Sequence, residues 1–135
     1  MIYLDSCSIV KLVVREDETD ALLAWLQARQ EEQVVTSMLA EVEVPRALRR
    51  AAPGFLGVVP SVLIKIDRFE VDAPVRATAG AYTQSNLRSL DAIHLATAEN
   101  LIASDKEVSA FVTYDKRLAS AAQEAGLPVV SPGAA

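Results

Sequence analysis

A chain of 135 residues, 51% hydrophobic and 23% charged, has the material for one packed core, which excludes a disordered protein and argues against a second independent domain. No apolar run reaches the roughly 20 residues of a bilayer span, Asp5 interrupts the stretch MIYLDSCSIVKLVV where a signal peptide would stay apolar, and Cys7 has no partner for a disulfide, so a cytoplasmic protein without a membrane partner is expected. The formal charge of -5 argues against a broad electrostatic grip on nucleic acid, unless the acidity is gathered at a site that binds cations.

Ile2, Tyr3 and Leu4 form an apolar run ending at Asp5, the pattern of a buried strand, and Ser6 is placed to cap a helix carrying Ile9, Val10, Leu12 and Val13. A second helix is expected over 16–30, with Ala21, Leu22, Trp25, Leu26 and Arg29 at helical spacing and acidic residues in its first turn. Val34 and Val35 open a short strand that ends in Thr36 and Ser37. Residues 38–50 place Ala40, Val44, Ala47 and Leu48 on one helical face, with Ala51 continuing it. Pro45 must either bend that helix or mark where its regular part begins, because an interior proline costs about 3 kcal/mol. Pro53, Gly54 and Gly57 punctuate a loop before a helix over 58–66, and a strand is expected over 69–71. A helix over 73–82 follows Asp72, and Ser89 is a suitable cap for a strongly apolar helix over 90–101. The remainder predicts a strand over 110–113, a helix over 116–125 stopped by Gly126, a final strand at Val129 and Val130, and a tail fraying from residue 132.

Strands alternating with helices predict an α/β fold, with a short, mainly parallel sheet covered by helices on both faces. Sites in such sheets gather outside the carboxyl ends of the strands. Asp5 directly follows the first strand and Asp115 follows the strand over 110–113, so both belong to that edge. Asp91 lies in the first turn of the helix behind Ser89, where the positive end of the helix dipole favours a carboxylate. Like charges brought together need cations, and hard divalent ions such as Mg²⁺ or Mn²⁺ prefer oxygen ligands, so convergence predicts a metal site suited to phosphoryl chemistry.

Four segments, YLDSCSIVKL, EVEVPRALRR, LRSLDAIHLATA and TYDKRLASAAQEAGLPVVSPG, resemble in order and spacing the acidic blocks of PIN-domain ribonucleases of the VapC toxin type, across nearly the whole chain. The resemblance implies a three-layer PIN-like fold over 1–131 and an acidic site made of Asp5, Glu43, Asp91 and Asp115. It further implies an endoribonuclease in which these four carboxylates hold Mg²⁺ or Mn²⁺ and activate a water to cleave an RNA phosphodiester. A VapB-type antitoxin that inhibits it across its early helices, and a homodimer, are implied as partners, with promoter DNA contacted by the antitoxin rather than by this chain. Glu41 and Glu43 lie about 200° apart around a helix, so only one can face the site. Periodicity leaves both open; the match to E-V-x-R-A-L selects Glu43.

Each acidic residue also has a structural explanation. Asp5 and Asp115 could cap helices, Asp91 could stabilise a helix start, and Glu43 could pair with Arg46. His94, three residues after Asp91, reads best as a histidine satisfied within the core, and Cys7 as a small packing residue. Ser6 and Thr113 could offer hydroxyls to the carboxylates or to metal-bound water. Arg46, Arg88, Lys116 and Arg117 lie beside the acidic blocks and are candidates for RNA phosphates; Arg49 and Arg50 fit a solvated face equally well. An aspartate-nucleophile phosphatase would want a second Asp where Cys7 stands, and a receiver domain would want adjacent acidic residues that are missing. A non-catalytic binding module would discard some of the four carboxylates, all of which are kept.

Overall fold

The computed structural model describes residues 1–135. Five strands, β1 (Ile2–Leu4), β2 (Val34–Ser37), β3 (Asp67–Phe69), β4 (Ala110–Val112) and β5 (Val129–Val130), pair in parallel throughout in the order β3-β2-β1-β4-β5. Seven helices surround them: α1 (Ser6–Val13), α2 (Thr19–Gln27), α3 (Ala40–Ala51), α4 (Val59–Leu63), α5 (Ala73–Ala81), α6 (Ser89–Ala103) and α7 (Lys116–Glu124).

Alternation of side chains along a strand divides the core in two. Ile2, Leu4 and Val112 face one side and pack with Ile9 and Val13 of α1, Leu22 of α2, Val44 and Leu48 of α3 and Leu63 of α4. Tyr3, Val35 and Phe111 face the other, against Leu95 and Leu101 of α6 and Leu118 and Ala122 of α7. Helix α5 lies outside this second layer and packs on α6. Burial on both faces is why β1 and β4 carry unbroken apolar runs, as central strands of a parallel sheet must. Truncating a fully buried leucine such as Leu48 or Leu95 to alanine is expected to cost about 2–5 kcal/mol.

Several boundaries differ from the sequence expectation, each for a local reason. Helix α2 begins at Thr19 rather than 16, because Glu16 and Glu18 turn back onto the Lys11 ammonium at 3.3 and 2.9 Å and the Thr19 hydroxyl donates to the Lys11 carbonyl. Helix α3 runs unbroken through Pro45, which neither starts nor ends it. The expected loop at 53–57 is a 3-10 turn, Pro53–Val58, and the helix expected over 58–66 is the shorter α4. Strand β3 lies two residues earlier than expected; as a mostly exposed edge strand it has no apolar run to announce it. Ser6 and Ser89 are first helical residues rather than caps: Asp5 and Arg88 hold the capping positions, and only Asp5 makes a capping bond. Gly126 follows α7 with φ of 85°, where a side chain would be strained. The chain end, expected to fray from residue 132, is tied down: Tyr114 donates its hydroxyl to the Pro132 carbonyl at 2.7 Å, and Gly133 lies so close to Ala21 that a Cβ would come within 2.7 Å of it.

Candidate functional site

The strand order reverses between β1 and β4, which are direct neighbours. This is the topological switch point, where an open parallel sheet forms a crevice at its carboxyl edge. Asp5 leaves β1 there, and Asp115 follows β4 by three residues. Helices α1, α3, α6 and α7 all begin at this edge, because each helix follows or precedes a parallel strand and must run back across the sheet. Asp5 and Asp115 are the N-cap residues of α1 and α7, Asp91 lies in the first turn of α6, and Glu43 in the first turn of α3. Four positive helix ends thus face four carboxylates and offset part of their repulsion.

Two of the four are fixed by protein donors. Asp5 is 2% exposed; its Oδ1 accepts from the Ser8 amide at 2.9 Å and the Ser8 hydroxyl at 2.7 Å, and its Oδ2 accepts from the Thr113 hydroxyl at 2.6 Å. Burial pushes its carboxyl above the usual range, opposed by His94 and by these hydrogen bonds. Glu43 keeps Oε1 in a pair of contacts, with the Ser6 hydroxyl at 2.6 Å and His94 Nε2 at 2.7 Å. Burial alone would raise its carboxyl; the His94 and Ser6 bonds outweigh it and hold the group below its ordinary value. Glu41 points elsewhere, into an ion pair with Arg68 at 2.8 Å, and Glu43 has no pair with Arg46.

The other two face outward. Asp91 receives no hydrogen bond from the protein; burial and then the charge of Asp115 push its carboxyl up to about 6, with Asp5 and Glu43 adding and His94 opposing. Asp115 spends Oδ1 on the Leu118 amide at 2.9 Å and keeps Oδ2 free. Cys7 is exposed on the rim rather than packed in the core, yet partial desolvation of its sulfur and the field of Asp5, Asp91, Asp115 and Glu43 push the thiol up to about 12. It stays protonated and is no nucleophile near neutral pH. No three of these side chains converge closely enough to chelate an ion by themselves. Magnesium does not require that: it commonly keeps several waters and is bound through one or two carboxylates plus substrate phosphates. The hard oxygen donors, with Asp91 free of protein partners and Asp115 keeping Oδ2 open, therefore fit a divalent ion.

Arg46, Arg88, Lys116 and Arg117 are exposed, and none is in an ion pair. Arg50 lines a cleft of about 480 Å³ together with Cys7, Lys11, Tyr114 and Asp115, which brings it nearer the acidic edge than a purely solvated role requires. Sequence reasoning did not single out Ser8 or Tyr3. Ser8, three residues after a capping aspartate, had a readable signal in that spacing; Tyr3 had none.

A family model described as PIN domain matches residues 2–124. The chain belongs to the PIN-domain family. It is 53% identical over 135 residues to a Mycobacterium tuberculosis protein named ribonuclease VapC35, covering 100% of this chain and 99% of that one. It is 41% identical over 137 residues to ribonuclease VapC47 of the same species, covering 99% and 98% of the two chains. Among solved structures, Mycobacterium tuberculosis VapC20, described as a sarcin-ricin loop cleaving toxin, superposes with a TM-score of 0.73 at 16% identity over 98% of this PIN domain and 100% of that chain. A VapBC2 complex from Rickettsia felis, bound to a DNA fragment from its promoter, matches with a TM-score of 0.66 at 13% identity, covering 98% and 99% of the chains. At those identities the structural likeness establishes the fold, a PIN-like α/β sandwich.

Proposed function

We propose that this PIN domain is a metal-dependent endoribonuclease acting as the toxin of a VapBC-type pair. The observation that carries the reading is the set of four carboxylates on one sheet edge, two locked by several protein contacts and two with oxygens left open, in a chain 53% identical to a named ribonuclease. Asp91 and Asp115 would hold Mg²⁺ or Mn²⁺ directly, and Asp5 and the free Oε2 of Glu43 would complete the site through the ion's waters. When bound, such an ion stabilises charge on a phosphodiester and lowers the pKa of the attacking water. The Thr113 and Ser8 hydroxyls keep Asp5 from turning away, and the Ser6 hydroxyl does the same for Glu43. Arg46, Arg50, Arg88, Lys116 and Arg117 position the RNA backbone, a role that needs charge without base recognition. Two divalent ions would offset most of the formal charge of -5, which removes the electrostatic objection to RNA.

An antitoxin is the partner that best fits an apolar cleft of about 590 Å³ at α1, α2 and α4, lined by Leu12, Leu23, Leu26, Val62 and Ile66. A segment presenting an amphipathic helix would bury these side chains. Contact with promoter DNA would belong to that antitoxin, and a homodimer of this chain is part of the same proposal. No helix is long and apolar enough to cross a membrane.

The test is to incubate the purified chain with total cellular RNA, with and without Mg²⁺ or Mn²⁺, beside Asp5→Asn, and to map new 5′ ends. Metal-dependent cuts absent from the variant are expected. A folded, antitoxin-free protein that cuts nothing under any metal would overturn the nuclease reading.

A further inference from the structure

The histidine that the sequence suggests is merely satisfied within the core has partners that tie it to the site. His94 is 1% exposed, and both of its ring nitrogens are engaged. Nδ1 lies 2.8 Å from the Tyr3 hydroxyl, and Nε2 lies 2.7 Å from Glu43 Oε1 and 3.1 Å from the Ser6 hydroxyl. The Tyr3 ring, stacked on Phe111 with centroids 5.1 Å apart, meets the imidazole edge-on at 5.9 Å, so the ring planes are held by packing as well as by hydrogen bonds.

The directions of these bonds follow from which groups are already committed. The threonine hydroxyls near Tyr3 donate to backbone carbonyls, Thr36 to Leu4 at 2.6 Å and Thr97 to Ile93 at 2.7 Å. They send no proton to Tyr3, whose hydroxyl has Nδ1 as its side-chain hydrogen-bond partner, and desolvation keeps that phenol protonated, so Tyr3 donates to Nδ1. At the other end, a bare Nε2 at 2.7 Å from a carboxylate oxygen would set two lone pairs against each other. The Ser6 proton can serve only one of those two acceptors. A proton on Nε2 removes the conflict, and it gives Oε1 two donors in Nε2–H and the Ser6 hydroxyl.

We propose that His94 is a positioning residue for Glu43: held by Tyr3 at Nδ1, it donates Nε2–H to Oε1 and leaves Oε2 as the only oxygen of Glu43 presented to a divalent ion. This rests on the metal-dependent reading above and adds a buried Tyr3–His94–Glu43 chain beneath the carboxylates. It also gives a chemical reason for a histidine in a site whose ligands are all oxygens. Outer partners that orient a ligand typically account for about 10–100-fold in metal affinity or activity.

The experiment combines two measurements on the full chain. Long-range ¹H–¹⁵N correlation spectra of the wild type should place the proton on Nε2, with Nδ1 unprotonated; a proton on Nδ1 with Nε2 bare would overturn the assignment without any variant. Calorimetric titration with Mn²⁺ should then show His94→Leu weakened by about 10–100-fold, with His94→Gln, whose amide N–H can reach the same oxygen, recovering most of the loss. In cleavage assays His94→Leu should lower kcat while KM for RNA changes by less than about twofold, because a displaced Glu43 does not alter the RNA-binding cations. A folded His94→Leu that binds Mn²⁺ as tightly as the wild type sinks this inference alone. Failure of the wild type itself to bind Mn²⁺ sinks the nuclease reading with it.

Discussion

The inner and outer halves of the acidic edge are built differently. Asp5 and Glu43 together make five hydrogen-bond contacts with Ser8, Thr113, Ser6 and His94, so their geometry is set before anything binds. Asp91 has no protein donor and Asp115 has one, and burial, followed by the charge of Asp115, raises the Asp91 carboxyl. The difference teaches that the fold supplies rigidity to one half of the edge and leaves the charge of the other half uncompensated, which is where the proposed cation would bind. On the proposed function, such a site would store instability that a bound metal relieves, a stability–activity trade-off located in identifiable residues.

The largest expected effect follows from removing the uncompensated half. Asp91→Asn or Asp115→Asn should lower RNA cleavage by on the order of a hundredfold or more while circular dichroism reports an intact fold. Retention of full activity in either variant would place the chemistry elsewhere. Breaking the rigid half should register first in stability. Thr113→Val removes the donor to Asp5 Oδ2 inside a fully buried contact, and urea unfolding should show a loss of about 1–3 kcal/mol.

Those two halves were not equally legible in the sequence. Asp5 and Asp115 are readable because they follow apolar strands, and the carboxyl-edge rule then places them together. Asp91 is readable from its place in a helix start. The choice between Glu41 and Glu43 is not, because both flank the apolar face of α3; only the tertiary partners separate them, Arg68 for Glu41 and His94 with Ser6 for Glu43. His94 meets Tyr3 and Glu43 across 91 and 51 residues of chain, a distance no local pattern spans. The expected Ser6 cap shows the same limit: Asp5 and Ser6 are both good cap formers, and only the packed structure shows that Asp5 caps α1 while Ser6 turns to Glu43. Strand β3 was displaced because an exposed edge strand lacks the apolar run that marks β1 and β4.

A smaller effect should separate the halves by pH. A carboxyl whose folded pKa exceeds its unfolded one binds its proton more tightly in the folded chain. Its contribution to stability is therefore full below the model-peptide value of 3.8 and is lost as pH rises through about 6. In chelator, Asp91→Asn should remove that loss and melt a few degrees higher than the wild type above pH 6, with the difference vanishing near pH 4. A lower Tm for the variant at pH 7 would contradict the account of Asp91 as uncompensated charge. The smallest effect is expected at Glu41→Gln, which breaks only a partly exposed pair with Arg68. Cleavage should be unchanged and stability altered by less than about 1 kcal/mol; a large loss of cleavage would return the site role to Glu41.

The most direct measurement is a melting curve of the wild type and of the Asp91→Asn,Asp115→Asn double variant, each in chelator and in millimolar Mn²⁺. The account predicts that Mn²⁺ raises the wild-type Tm and leaves that of the double variant unmoved, since only the wild type retains the outer carboxylates. Equal shifts in both proteins, or none in the wild type, would contradict the claim that this edge is built to receive a divalent ion.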